Sequence, residues 1–344
     1  MSFKVNSIGL LLFAFVLVSC KTDHKTPPVA KVLEKSGNPV FNGWYADPEA
    51  VVFEDKYWVY PTYSDAFEKQ LFFDAFSSPD LVNWTKHERI LDTTNIPWLR
   101  QALWAPSIIK KENTYYLFFG ANDIQRPGRN SYDPNNDINH YGGIGIDTPK
   151  GPFEDYLGKP LIADFYNDAQ PIDQFVFKDV DGTFYLFYGG WGHCNLGKLN
   201  ADFTEITPWE DGSLFKEITP EGYVEGPFVF LRNGTYYFMW SEGNWTDNSY
   251  KVAYAMADSI IGPYKRMGTI LESDPEIATG AGHHSVINVP NTDEWIMVYH
   301  RRPIPNEGRD HRVTCMDQLE FRNDGSIKPV QITTEGVEAR PLNP

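Results

Sequence analysis

The sequence predicts an all-β protein and, within that class, a five-bladed β-propeller. Aromatic residues make up 15% of its 344 residues, and aromatic side chains are favoured in strands. No segment has the sustained 3.6-residue apolar period of a long helix. One hairpin pattern recurs five times along the chain. Repeated units of short antiparallel strands are typical of propeller blades, whereas a two-sheet sandwich would leave the repeat unexplained.

Each hairpin joins an apolar strand to an aromatic strand through a short polar turn. Pro48, Pro106 and Pro227 stand near the start of their first strands, where no ladder hydrogen bond is lost. Further strands are predicted over residues 71–76, 143–147 and 251–255, so each unit contains about four strands. The aromatic second strands are residues 57–60, 115–119, 184–188, 236–240 and 295–299.

A polar insertion separates the second and third strands of the second unit. It runs from Asp123 to Tyr141 and is rich in proline, glycine and asparagine. Loops of this length are usually functional or disordered. We expect this loop to wall the functional site.

The N-terminus is predicted to be a targeting segment. Lys4 supplies a positive charge, and residues 8–18 form an apolar run that is short for a bilayer span. The run ends in Leu17-Val18-Ser19-Cys20, which resembles the bacterial lipobox, a signal whose cysteine receives a lipid. The alternative is an ordinary signal peptide with an incidental cysteine.

The domain organisation follows from this segment. We expect residues 1–20 to be a lipoprotein signal peptide, residues 21–37 a tether and residues 38–344 a single propeller domain. The protein would then be lipid-anchored in the bacterial cell envelope, at the outer membrane or cell surface, with the periplasmic side as an alternative. We expect it to be a monomer.

Charge and cysteine content exclude other classes of function. The net charge of −16 argues against a nucleic-acid partner, which requires a basic surface. Besides Cys20 the chain has Cys194 and Cys315, and neither belongs to a CxxC pair, so zinc-site spacing is absent from the sequence. We expect two buried thiols, with a disulfide as the alternative.

Three acidic residues open first strands of the repeat, namely Asp47, Asp173 and Glu225. First strands line the channel of a propeller, so these carboxyls should meet at one mouth of it. Glycoside hydrolysis needs one protonated and one ionised carboxyl, and a third carboxylate can raise the pKa of the acid. The alternative is that each acid only caps a strand or pairs with a surface base.

A family resemblance lies in five motifs: Tyr45-Ala46-Asp47-Pro48, Trp104-Ala105-Pro106, Ile172-Asp173, Glu225-Gly226-Pro227 and Gly282-His283. In this order they resemble the signature of glycoside hydrolase family 43. The resemblance implies a five-bladed propeller with inverting chemistry. It also implies that Asp47 is the general base, Glu225 the general acid, and Asp173 the residue that orients Glu225 and modulates its pKa.

The resemblance extends to a histidine near the channel axis. His283 resembles a family residue that contacts substrate in some members and helps to hold an ion, often calcium, through water in others. His284 is the neighbouring alternative. We expect no required cofactor, and a structural calcium at the propeller axis is the one metal that the resemblance implies.

The remaining substrate-binding candidates are Arg312, Trp104 and Trp191. Arg312 resembles a family arginine that reaches the sugar subsite, and its charge would keep Asp47 ionised. Arg309 and a surface salt bridge are the alternatives to this assignment. Each tryptophan is expected either to stack on a sugar face or to belong to the core.

The predicted function is an exo-acting, inverting glycoside hydrolase that releases a terminal pentose from plant polysaccharides or oligosaccharides. α-L-Arabinofuranosidase comes first and β-xylosidase second, with galactofuranosidase and endo-arabinanase as alternatives on the same fold. A retaining enzyme is a further alternative, with carboxyls about 5–5.5 Å apart instead of about 6.5–9.5 Å. An alternative of another class is a non-catalytic carbohydrate-binding lipoprotein.

Overall fold

Strand pairing in the computed structural model gives five antiparallel sheets. The structure describes residues 1–2, 34–94, 96–126, 129–130, 143–148, 153–306 and 308–342. The first strands of the sheets contact one another in a closed ring, in the order β1, β5, β11, β16, β20 and back to β1. The first strands are β1 (Tyr45–Phe53), β5 (Trp104–Lys111), β11 (Phe175–Lys178), β16 (Glu225–Arg232) and β20 (Ala278–Asn288). This ring confirms the predicted five-bladed propeller.

The other strands complete the blades outward from the ring. Blade 1 adds β2 (Lys56–Tyr63), β3 (Phe72–Ser78) and β4 (Thr85–Asp92), with a short 3₁₀ helix at Phe67–Lys69. Blade 2 adds β6 (Thr114–Ala121), β9 (Gly143–Thr148) and β10 (Glu154–Asp155). Blade 3 adds β12 (Phe184–Tyr188), β13 (Asn195–Leu199), β14 (Ile206–Thr207) and β15 (Phe215–Glu217). Blade 4 adds β17 (Thr235–Glu242), β18 (Lys251–Ala257) and β19 (Lys265–Leu271), and blade 5 adds β21 (Trp295–Pro303) and β22 (Val313–Leu319).

Side chains of the first strands connect neighbouring blades. Three of these side chains accept a hydrogen bond from a backbone N–H of a neighbouring blade, so hydrogen bonds as well as apolar packing hold the ring together. The three bonds run from the Ile108 N–H to Glu49 Oε1 at 3.1 Å, from the Val176 N–H to Ser107 Oγ at 3.2 Å and from the Ala50 N–H to Ser285 Oγ at 2.9 Å.

The N-terminal segment closes the ring against blade 5. The side chain of Asn38 donates to the Met316 carbonyl at 3.0 Å and accepts from the Met316 N–H at 2.8 Å. Lys35 forms a β-bridge with Glu338, and the Ser36 N–H donates to the Val337 carbonyl. The last residues of the predicted tether segment therefore pair with the C-terminal part of the propeller.

A β-bulge interrupts the first strand near its start in blades 1, 2, 4 and 5. Bulges re-aim side chains and are frequent beside active sites. One residue at this place in each blade has a left-handed backbone: Asp47 (φ 48°), Ala105 (44°), Asp173 (54°), Gly226 (64°) and His283 (34°).

Glu225 therefore lies one residue before the left-handed position that Asp47 and Asp173 occupy. It pairs with Ser241 as Ala46 pairs with Thr62. All three acids open first strands, but the expectation that they do so at the same position is wrong for Glu225, which lies one residue earlier than the two aspartates. Its side chain is one methylene longer than that of aspartate, and it leaves the strand from the neighbouring position.

Several sequence expectations concern residues away from the first strands. Cys194 and Cys315 are both free and buried, as expected. Ile124–Arg126 (β7) and Arg129–Asn130 (β8) form a small sheet at the start of the predicted insertion, and most of its remainder lies outside the described residues, as does Cys20. Among the described residues, no helix is long and apolar enough to cross a membrane.

Candidate active site

A cavity of about 620 Å³ opens at the end of the channel where the first strands begin. Its wall comes from the starts of first strands and from the loops between second and third strands, and all five blades contribute. All seven residues singled out from the sequence as catalytic or substrate-binding line this cavity: Asp47, Trp104, Asp173, Trp191, Glu225, His283 and Arg312.

Asp47 is surrounded by nitrogen atoms. Arg312 Nη1 donates to Asp47 Oδ1 at 3.2 Å, and His283 Nδ1 lies 3.4 Å from the same oxygen. The Asp47 N–H donates to Nδ1 of His300 at 3.1 Å. Burial alone would raise the pKa of Asp47, but Arg312 and the two histidines hold the pKa well below its usual range. Asp47 is therefore a carboxylate at neutral pH.

Asp173 and Glu225 have the opposite electrostatic environment. Burial raises the pKa of both carboxyls, and repulsion from Asp47 raises them further. Asp173 is 7% exposed, and repulsion from Glu225 adds to the rise in its pKa, although the Gly226 N–H donates to it. This pair therefore retains a proton at a pH where Asp47 is ionised.

Tyr250 holds the Glu225 side chain in place. Its buried hydroxyl donates to Glu225 Oε1 at 2.8 Å, which favours the ionised form and partly opposes the effect of burial on the pKa of Glu225. The Tyr250 ring lies against Gly282, where a Cβ atom would come 2.2 Å from the ring. A glycine at 282 therefore allows Tyr250 to reach Glu225.

Arg312, and not the alternative Arg309, is the arginine beside Asp47. Arg312 also donates through Nε to Ser64 Oγ at 2.9 Å and is 8% exposed. Arg309 pairs instead with its neighbour Asp310, and its side chain is 59% exposed. Both guanidinium groups lie 5.1 Å from the centre of the Trp245 ring, one deep in the cavity and one at its rim.

The two predicted tryptophans line different parts of the wall. Trp104 is half-buried, and its Nε1 donates to Gln70 Oε1, which fixes the plane of its ring. Trp191 is 47% exposed and has a left-handed backbone with φ of 62°. A bulky residue in this conformation is uncommon, and such residues concentrate at functional sites. Neither tryptophan belongs to the fully buried core.

Sequence reasoning missed Tyr250, His300 and Trp245. Trp245 lies in the loop between the second and third strands of blade 4, at the place that Trp191 occupies in blade 3. Aligning the loops of the repeat, and not only the first strands, would have singled it out. Tyr250 and His300 have no such signal, because only tertiary packing brings them to Glu225 and Asp47.

His283 and its neighbouring alternative His284 have different surroundings near the channel axis. No group of three or more His, Cys, Asp or Glu side chains within the described ranges is arranged to bind a metal directly. Nδ1 of His283 faces Asp47 and Asp173 at 3.4 and 3.6 Å. His284 is 3% exposed, and neither of its ring nitrogens has a hydrogen-bond partner in the described part of the chain. His284 thus fits an ion held through water better than His283 does.

The arrangement supports acid–base chemistry on a ligand between Asp47 and Glu225. Paired titratable groups whose environments push their pKa values apart can act as base and acid at the same pH. Here the cationic side of the cavity keeps Asp47 ionised, while burial and the repulsion between neighbouring carboxyls keep a proton on the Asp173–Glu225 pair.

Comparisons with known proteins identify a family. Residues 36–327 match the sequence model of glycosyl hydrolases family 43. A β-D-galactofuranosidase (xynD) of Aspergillus niger is 45% identical over 325 residues, covering 90% of this chain and 89% of the relative. A xylosidase/arabinosidase of Bacteroides ovatus is 25% identical over 342 residues, covering 85% of this chain and 95% of the relative.

Solved structures share the fold over most of the chain. The family 43 arabinoxylan arabinofuranohydrolase from Bacillus subtilis, in complex with cellotetraose, aligns with a TM-score of 0.72 at 25% identity. The alignment covers 89% of this chain and 71% of that protein. Since the family match spans most of the propeller, this chain belongs to glycoside hydrolase family 43 and is a glycoside hydrolase.

Proposed function

We propose that this enzyme is an exo-acting, inverting hydrolase of terminal furanosyl residues, with β-D-galactofuranosides as preferred substrates and α-L-arabinofuranosides second. The observation that carries the chemistry is the contrast between Asp47 and Glu225 in one cavity. Burial raises the pKa of both carboxyls, but Arg312 and the neighbouring histidines outweigh burial at Asp47 and lower its pKa. Asp47 would act as the general base that activates water. Glu225 would act as the general acid that protonates the leaving oxygen.

Asp173 would modulate the acid by sharing its proton. Its pKa is raised by burial first and by Glu225 second, so the repulsion between the two carboxyls acts strongly on Asp173 itself. The pair then titrates as a unit, and its two macroscopic pKa values belong to both residues. Arg312 and His283 would maintain the charge of Asp47 and contact the sugar beside it.

The choice of sugar rests on the relatives and on sugar stereochemistry. The Aspergillus niger relative, at 45% identity, is named a β-D-galactofuranosidase, which supports our preference for galactofuranosides over arabinofuranosides. β-D-Galactofuranose and α-L-arabinofuranose have the same configuration at ring carbons 1 to 4. They differ because galactofuranose carries an extra CH₂OH group at the end of its exocyclic chain. One cavity can therefore accept both glycons.

Exo action is supported by the shape of the wall. Residues from all five blades surround the cavity, which favours a pocket that takes a chain end over an open cleft. Trp104, Trp191 and Trp245 line this pocket and would stack on the sugar rings of the substrate. A binding module would have no use for two acids held in opposite protonation states.

The test is a panel of nitrophenyl glycosides with one leaving group and different glycons. We expect kcat/KM to be highest for β-D-galactofuranoside, lower for α-L-arabinofuranoside and lowest for β-D-xylopyranoside. Proton NMR of the first sugar released should show inversion at the anomeric carbon. Retention would establish the retaining alternative, and hydrolysis of the xylopyranoside alone would refute furanosidase activity.

The envelope location is proposed from the sequence around Cys20. We propose that Cys20 carries a lipid and that the enzyme acts at the bacterial cell surface or outer membrane as a monomer. Cys20→Ala should move the protein from the membrane fraction to the soluble fraction, whereas Cys194→Ala should not. Recovery of lipid-free wild-type protein in the soluble fraction would refute the anchor.

We also propose that an axial calcium ion is held through water at His284. Such an ion would supply positive charge at the axis and stabilise the ring. Elemental analysis of purified protein should then find calcium in wild type and less in His284→Ala. Equal calcium contents in the two proteins would exclude this histidine as the site.

A further inference from the structure

The line from Asp47 to Glu225 divides the cavity into two halves. Asp47 belongs to blade 1 and Glu225 to blade 4. Blade 5 lies on one side of this line, and blades 2 and 3 lie on the other, because the blades follow one another around the ring. In the proposed reaction the anomeric carbon sits between the two carboxyls. The rest of the sugar must then extend into one half or the other.

The side chains that line the half beside blade 5 are engaged with one another and with Asp47. Arg312 and His283 contact Asp47 there, and His300 lies behind them with no exposed surface on its side chain. The Trp245 ring packs against Arg312 on the same side. These contacts fix the charge of Asp47, so acceptors free to bind the rest of the sugar must come from the half lined by blades 2 and 3.

Most polar groups in that second half are committed to other partners. Gln70 accepts from Trp104 Nε1 and donates to the Asp65 carbonyl at 2.7 Å. Gln170 donates through Nε2 to the Ile124 carbonyl at 2.8 Å. These side chains hold the wall in shape, and neither offers a charged acceptor to a sugar.

Asp123 is different, because one of its carboxylate oxygens is free. Oδ1 accepts from the side-chain amides of Gln125 and Gln170, the latter at 3.5 Å. Oδ2 has no hydrogen-bond partner, and no cation pairs with this carboxyl, among the residues that the structure describes. Asp123 and Gln125 both line the cavity. A partly buried carboxylate with an open oxygen is a strong acceptor for ligand hydroxyl groups.

We propose that Asp123, braced by Gln125, accepts hydrogen bonds from the exocyclic hydroxyls of the glycon and thereby selects hexofuranosides over pentofuranosides. This inference rests on the proposed furanosidase function and adds the residues that read the exocyclic chain. Galactofuranose presents two adjacent hydroxyls on that chain, on carbons 5 and 6. Arabinofuranose presents one, on a chain shorter by one carbon, so it reaches Asp123 less well.

The experiment compares two nitrophenyl substrates, β-D-galactofuranoside and α-L-arabinofuranoside, in the wild-type enzyme, Asp123→Asn and Asp123→Ala. Loss of a hydrogen bond to a charged group predicts a fall in kcat/KM on galactofuranoside of roughly 10- to 100-fold in Asp123→Ala. The arabinofuranoside should change by less than about threefold, since it makes the weaker contact. Activity on arabinofuranoside also verifies that the variant is folded.

The control is Asp310→Asn, which alters an aspartate on the blade 5 side of the same cavity. It should change kcat/KM on the two substrates by the same factor. Equal losses on both substrates in Asp123→Ala, or an unchanged preference for galactofuranoside, would overturn the inference. So would a wild-type enzyme that prefers arabinofuranoside. A wild-type enzyme active on neither furanoside would refute the proposed function itself, which is a distinguishable result.

Discussion

Glu49 provides a prediction about stability that can be worked out from the structure. Its side chain is 7% exposed and connects blade 1 to blade 2 by accepting the Ile108 N–H. No cation pairs with it among the described residues. Burial raises the pKa of Glu49 from 4.5 to about 8, and hydrogen bonds from Ser107 and Ile108 only partly oppose this rise.

The sign of the effect follows from proton linkage. Because the folded-state pKa is raised, the folded protein holds a proton between pH 4.5 and about 8 that the unfolded chain has lost. The contribution of Glu49 to the free energy of unfolding is therefore greatest below pH 4.5 and decreases as the pH rises toward 8. At about 1.36 kcal/mol for each pH unit, the decrease is about 3 kcal/mol at pH 7 and about 5 kcal/mol above pH 8.

Glu49→Gln removes this cost because the amide cannot ionise. We expect the variant and the wild type to have equal free energies of unfolding in urea at pH 4. At pH 7 the variant should be more stable by about 3 kcal/mol. Glu88→Gln, which alters a glutamate with a 77% exposed side chain, is the matched control and should show no such pH dependence. A Glu49→Gln effect of the same size at pH 4 and pH 8 would refute the reasoning.

Three predictions concern the carboxyls of the active site. Tyr250→Phe removes the hydroxyl that lowers the pKa of Glu225, so the alkaline limb of the kcat/KM profile should move to higher pH. The control is Tyr223→Phe, which removes a hydroxyl that donates to the Gly189 carbonyl instead, and it should leave this limb in place. Gly282→Ala should displace the Tyr250 ring and lower kcat more on alkyl than on dinitrophenyl glycosides; equal losses would contradict the role of Tyr250. Arg312→Met removes the cation that lowers the pKa of Asp47, so the acidic limb should move to higher pH; an unmoved limb would exclude this electrostatic role.

The fold was largely predictable because its signal is repeated. Five aromatic hairpins at regular spacing carry the propeller pattern redundantly, and their strands lie where the sequence places them. The ring closure was not predictable in the same way. It depends on Asn38 and Met316, which are far apart in sequence and show no local pattern of pairing.

The candidate site was predictable to the level of the first strands. Residues that open these strands converge by geometry, which brought Asp47, Asp173 and Glu225 to one cavity. The one-residue offset of Glu225 from Asp47 is visible in the sequence. Pro48 directly follows Asp47, whereas Gly226 separates Glu225 from Pro227, and each proline follows the left-handed residue of its bulge. The partners that set protonation are His300, from the second strand of blade 5, and Tyr250, from the residue before the third strand of blade 4. Their positions depend on side-chain packing.

The central claim is that Glu225 protonates the leaving group of a glycoside whose attacking water is activated by Asp47. The most direct test is kcat/KM of Glu225→Ala on dinitrophenyl and alkyl galactofuranosides, relative to wild type. Dinitrophenolate leaves without protonation, so we predict a small loss on the aryl substrate and a loss larger by roughly 10²- to 10⁴-fold on the alkyl substrate. Equal losses on the two substrates would contradict the account.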